Sequence, residues 1–112
     1  MTSTEEHWTI DEPFEVQSVQ QDGRVHVSVR GELDISTSNA FEDAIDRAVR
    51  HGSDLVIDLR DTTFMGARAL GAIAVARQRL PARASVTVRT ATNLQRRLFT
   101  ITGLDRSVAV DP

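Results

Sequence analysis

The chain has 112 residues, of which 40% are apolar and 26% charged, with a formal net charge of -3; this bounds it to one globular domain with a real core. No apolar run approaches the roughly 18 residues of a membrane span, so direct membrane insertion is not expected. The start, Met-Thr-Ser-Thr-Glu-Glu, lacks the basic and apolar regions of a secretory signal, which makes the cytoplasm the simplest address.

Lysine is absent, which excludes Schiff-base lysine chemistry and any phosphate loop that depends on its lysine. Cysteine is absent too and is silent on redox environment. Charge is uneven: up to Met65 there are 14 acids and 5 arginines, and beyond it 2 acids and 8 arginines, or -9 against +6. The basic half contains one aromatic, Phe99, and no groove-reading pattern, so nucleic acid is not an expected partner.

In chain order, residues 1–12 carry four acids, no arginine and no periodicity, which predicts a flexible acidic tail ahead of a domain over 13–112, with Trp8 and Ile10 as its only anchors. From Phe14 two alternating runs flank Asp22-Gly23, a hairpin signal, with Val25, Val27 and Val29 on one face of the second. Gly31 to Thr37 then leads into a helix in which Phe41, Ala44, Ile45 and Ala48 recur at helical spacing. Glu42, Asp43, Asp46, Arg47 and Arg50 are expected to face water, Asn39 and Glu42 have capping-box spacing, and Gly52 closes the helix.

Asp54 to Leu59 reads as a buried central strand. Asp61 to Gly71 follows as a turn into a second helix ending near Leu80, where Pro81 blocks continuation; Phe64 is expected to be buried. Ser85 to Arg89 predicts a strand, Thr92 to Ile101 a helix opened by a Thr92–Gln95 capping box, and Ser107 to Val110 a last strand. The order β-β-α-β-α-β-α-β implies an α/β fold, a mixed sheet with three main helices.

Catalytic patterns are missing. His7, His26 and His51 lack metal-ligand spacing, and no Gly-x-Ser-x-Gly presents a nucleophile, so neither a metal nor a cofactor is expected. The carboxylate pairs Glu32 with Asp34, and Asp58 with Asp61, suit solvated or capping roles better than acid-base work. The turn Asp61 to Gly71 exposes backbone N–H groups at a helix start, a surface suited to contact with an acidic or phosphorylated group.

Two segments in register on these elements resemble the STAS domain of the anti-sigma factor antagonist family. One is Gly31-Glu32-Leu33-Asp34 followed by Ser36-Thr37; the other is Val56-Ile57-Asp58-Leu59, Thr63-Phe64-Met65 and Leu70-Gly71. A weaker match runs from Leu98 to Leu104, and together they span about Phe14 to Val110. The resemblance implies a non-enzymatic, STAS-like single domain that binds an anti-sigma factor, in the family often a serine kinase, and so regulates sigma-factor-dependent transcription. It also leaves homo-oligomers open.

The family's phosphorylated Ser stands in Asp-Ser-Ser-Gly before Leu-Gly. Here Gly66 takes the place of Asp, Ala67 that of the phosphorylated Ser, Arg68 that of the next Ser, and Ala69 that of Gly. The implied partner surface is Glu32, Asp34, Ser36, Thr37, Gly66, Ala67 and Arg68, with Glu32 or Asp34 expected to offset the Arg68 charge. Thr62 and Thr63 are the nearest substitute phospho-acceptors. The alternative that needs no acceptor is a STAS scaffold, a subunit of a transporter or of a sensory multi-protein complex.

Overall fold

The computed structural model describes residues 5–11 and 14–112. Its strands are β1 (Glu5–Asp11), β2 (Phe14–Gln21), β3 (Arg24–Leu33), β4 (Asp54–Met65), β5 (Val86–Arg89) and β6 (Ala109–Asp111). Its helices are α1 (Ser38–His51), α2 (Ala67–Arg79) and α3 (Asn93–Ile101), followed by a 3-10 turn at Leu104–Arg106. The sheet order is β1-β2-β3-β4-β5-β6. The β1–β2 and β2–β3 pairs are antiparallel and the remaining pairs parallel, each parallel step being bridged by a helix. This is the expected mixed sheet with crossover helices, with one strand more.

That strand is β1. The segment expected to be a flexible tail pairs along its length with β2, from Glu5 opposite Gln20 to Asp11 opposite Phe14. Backbone hydrogen bonding supplies the order that the side chains do not signal, since Glu6 to Ile10 are all exposed. The proposed boundary at residues 12 and 13, and residues 1–4 of the tail, lie outside the described residues.

Alternation along the strands puts Val16, Val25, Val27, Val29, Leu55, Ile57, Leu59, Val86 and Val88 into one buried layer. Phe41, Ala44, Ile45 and Ala48 of α1, and Ala69, Leu70, Ile73 and Ala76 of α2, join the same core. The small residues let the helices lie close to the sheet and to each other. Two ion pairs then tie α1 to α2, Arg68 to Glu42 and Arg79 to Asp46, both at 2.8 Å. Glu42 and Asp46 are therefore helix–helix partners, not merely solvated charges.

The caps come out partly as expected. Thr92 and Gln95 form the predicted capping box, and Gly52 closes α1 in the left-handed region at φ 69°. At the start of α1 the cap position is Thr37, without a side-chain cap bond; Glu42 accepts from Ser38 Oγ instead of completing a box with Asn39.

The largest departure from the sequence reading is β4. It continues as strand to Met65, where a turn from Asp61 was expected. Register shifts against β3 between Ser28 and Arg30 and between Gly31 and Glu32 disrupt strict alternation. Gly31 sits at the second shift with φ 100°, a conformation open to glycine and costly for other residues. As a result Thr62 and Met65 point inward, while Thr63 and Phe64 are exposed.

Candidate functional site

The ends of β3 and β4 and the start of α2 meet at one edge of the molecule. Gly66 N–H donates to Leu33 O at 3.0 Å, which docks the α2 start onto the end of β3. Gly66 occupies the N-cap position in an extended conformation, with no side chain to cap the helix. Ala67 and Arg68 of the first helical turn are exposed.

Asp34 shapes the adjoining loop. Its Oδ1 accepts from Ser36 N–H at 2.9 Å, Ser36 Oγ at 2.7 Å and Thr37 N–H at 3.2 Å. Thr37 Oγ1 donates to Glu32 O at 2.7 Å and accepts from Asp34 N–H at 2.9 Å. The Ser36 hydroxyl bond, followed by the backbone donors, holds the Asp34 carboxyl below its usual range. This carboxylate is thus occupied in building the turn. Arg68 is offset by Glu42, with a further contact to Asn39 Oδ1 at 3.3 Å, and not by Glu32 or Asp34 as expected.

The turn lifts Ile35 into solvent. A shallow apolar depression results, lined by Leu33, Ile35, Phe64, Gly66, Ala67 and the rim residues Asp34, Ser36 and Arg68. Ile35 is 79% exposed and Phe64 54%, and the two share this one depression. Phe64 also belongs to a second groove, between the end of β4 and α3, with Thr63, Met65, Leu94 and Leu98.

That groove is held together by Gln95. The side-chain Nε2 donates to Leu59 O at 2.9 Å and Thr62 O at 3.0 Å, while Oε1 accepts from Ala91 N–H at 2.7 Å. These bonds satisfy strand carbonyls beyond the end of β5, whose pairing with β4 stops at Asp58.

Of the residues expected at a partner surface, the fold brings together Asp34, Ser36, Gly66, Ala67 and Arg68. Glu32 is exposed outside the depression, and Thr37 is a structural member of the loop. Thr62 is 6% exposed with its hydroxyl donating to Val29 O at 3.1 Å, whereas Thr63 is exposed. Sequence reasoning missed Ile35, Phe64 and Leu94. Phe64 was expected inside because a regular strand or turn would bury it; the register shift puts it out.

One member of each carboxylate pair, Asp34 and Asp58, is unsuited to proton donation. Asp58 is bonded by the Arg60 side chain, with contacts from 2.7 Å, and that interaction lowers its pKa, as the loop lowers that of Asp34. Both are held ionised. No helix among the described residues is long and apolar enough to cross a membrane.

A mixed sheet with helical crossovers, in which Gly31-Glu32-Leu33 ends β3 and Asp34 opens the turn beside the start of α2, is the arrangement of a STAS domain. The family model described as "Mlab, STAS domain" matches residues 16–110, and the chain belongs to this family. A solved anti-sigma factor antagonist from Mycobacterium paratuberculosis is 30% identical, superposes with a TM-score of 0.76, and is matched over 98% of this chain and 86% of that one. The anti-sigma factor antagonist SpoIIAA in its unphosphorylated form is similar in fold at 13% identity and TM-score 0.66, over 98% of this chain and 88% of that one. The Bacillus cell fate determinant SpoIIAA in the phosphorylated form is similar at 15% identity and TM-score 0.64, with coverages of 98% and 92%. A search of curated proteins gave no match.

Proposed function

We propose that this STAS protein is an anti-sigma factor antagonist, binding an anti-sigma factor of kinase type in the cytoplasm and thereby regulating sigma-factor-dependent transcription. Its role is binding, not catalysis. The observation that carries the reading is the exposed apolar surface of Ile35 and Phe64 around Ala67 at the α2 start. The 30% identity to an antagonist over nearly the whole chain supports it.

The surface works without the family's phosphate switch. A phosphoserine would add about -1.5 to -2 of charge to an apolar contact and weaken it. Ala67 cannot accept phosphate and adds a methyl group instead. Thr62 is a poor substitute because its hydroxyl is buried and bonded to Val29 O; Thr63 is the exposed one. The antagonist is therefore permanently competent to bind.

Incubation with each candidate anti-sigma kinase of the host and ATP, followed by mass spectrometry, tests this. The native chain is expected to stay unmodified, and the triple variant Gly66→Asp, Ala67→Ser, Arg68→Ser to take phosphate at position 67. Phosphate on Thr63 of the native chain would contradict the unregulated reading. A scaffold role in a transporter or sensory complex also suits a chain with Ala67; co-purification with a membrane or large assembly, without any anti-sigma factor, would favour it.

A further inference from the structure

We propose that two copies of the chain pair edge to edge, β1 against β1 of the second copy, antiparallel and with the two-fold axis at Thr9, so that two six-stranded sheets become one. β1 is an outermost strand: it pairs with β2 along one side, and among the described residues no strand lies along the other. Alternate residues of such a strand direct their N–H and C=O groups outward, and a further strand satisfies that row as a ladder. The devices that usually keep an edge apart are missing from its centre. The ladder to β2 runs from Glu5 to Asp11 without a register shift, and the strand holds neither Pro nor Lys.

Side chains select a second copy as the strand that fits. Trp8 is 51% exposed and Ile10 58%, and both stand on one face of β1, two positions apart. Their cross-strand neighbours on β2 are Gln17 and Glu15, so neither large apolar side chain meets an apolar one across that ladder. Antiparallel pairing centred on Thr9 supplies the missing contacts: Trp8 of each copy falls opposite Ile10 of the other, and Thr9 opposite Thr9. An aromatic with a β-branched residue, and Thr with Thr, are favourable cross-strand pairs. Centring on Trp8 instead sets Ile10 opposite Glu6, and centring on Ile10 carries Trp8 past the end of the strand.

Charge and size set the strength. The segment Glu5–Asp11 carries the acids Glu5, Glu6 and Asp11 and no arginine, so two copies repel near its ends and association tightens as salt screens them. One seven-residue strand per copy makes a small interface, in the class of weak encounters below roughly 1,200 Å², with a dissociation constant on the order of 0.1 mM. The opposite edge strand, β6, has three residues, so the pairing closes as a dimer and does not propagate. β2 lies between β1 and β3, the strand whose end adjoins the Ile35–Phe64 surface, so the inference stands independently of the proposed function.

The test is sedimentation velocity of the full chain from roughly 10 µM to 1 mM, a range that brackets this dissociation constant. The expected result is a saturable monomer–dimer equilibrium that strengthens with added salt. Trp8→Thr and, separately, Ile10→Thr place a strand-forming residue at an exposed position; each should keep the native circular dichroism spectrum and weaken association about tenfold or more. The chain has no cysteine, so a single introduced thiol reports one position. Under mild oxidation Thr9→Cys, on the axis, should link two copies faster than Glu6→Cys, which this register sets far from its own counterpart. A monomer throughout the range, a dimer that dissociates with added salt or is unchanged in both folded threonine variants, or equal linking by the two cysteine variants, would overturn the proposal.

Discussion

Gln95→Met keeps the volume of a buried side chain while deleting its hydrogen bonds. Gln95 is 7% exposed and bridges α3 to the strand carbonyls of Leu59 and Thr62. Its Oε1 also takes the Ala91 N–H at 2.7 Å, with a longer contact to Thr92 N–H at 3.4 Å. Each ordinary bond contributes about 1 kcal/mol net, and a buried partner left unpaired costs about 1–3 kcal/mol, so a total loss of about 2–4 kcal/mol is expected. For a domain of this size that corresponds to a fall in Tm of about 8–16 °C. Urea unfolding followed by circular dichroism should show a lower midpoint with an unchanged m-value. A loss below about 0.5 kcal/mol, the level of an ordinary surface change, would refute the assignment of Gln95 as the clamp between α3 and β4.

Gly66→Asp should stabilise the protein by about 0.5–1 kcal/mol in chemical denaturation, by capping α2 and complementing its dipole. An ideal Cβ there meets Leu33 O and Phe64 Cε2 at 3.7 Å, ordinary contact distance, so no clash offsets the gain. A double-mutant cycle on Arg68→Ala and Glu42→Ala should return a coupling of about 0.2–1 kcal/mol that shrinks with added salt, since the pair is half exposed. The pKa of His26 is lowered from 6.5, first by burial and then by Arg89 and Arg24. The unfolded chain then binds a proton the folded one resists, so stability should fall as pH drops below 6.5. His26→Gln should flatten that limb of the stability-against-pH curve, while the lowered pKa values of Asp34 and Asp58 put their own contribution at risk only below 3.8.

Much of the fold is legible in the sequence because its signals are local. Phe41, Ala44, Ile45 and Ala48 mark α1 by period alone, Asp22-Gly23 marks the hairpin, and Thr92 with Gln95 marks the start of α3. What stayed hidden depends on pairing between distant segments. The strand character of Glu5–Asp11 comes from its ladder with β2, and the uniformly exposed side chains of Glu6 to Ile10 carry no periodic signature. The outward turn of Phe64 comes from register shifts between β3 and β4. The partner of Arg68 lies 26 positions away on α1, so helix packing, not proximity in sequence, selects Glu42 over Asp34. Motif matching found Gly66, Ala67 and Arg68 at the site but passed over Ile35, because an exposed isoleucine becomes informative only when its apolar neighbours are known.

Calorimetric titration of the purified chain into an anti-sigma factor from its own host, beside the variant Phe64→Asp, asks whether the Ile35–Phe64 surface is the contact for that partner. Phe64 is 54% exposed, so the variant should fold normally while placing a charge in the apolar contact. A stable complex is expected for the native chain, with loss of at least about 2 kcal/mol of binding, roughly thirtyfold, for Phe64→Asp. Absence of binding to every anti-sigma factor of the host, or equal binding by the folded variant, would contradict that expectation.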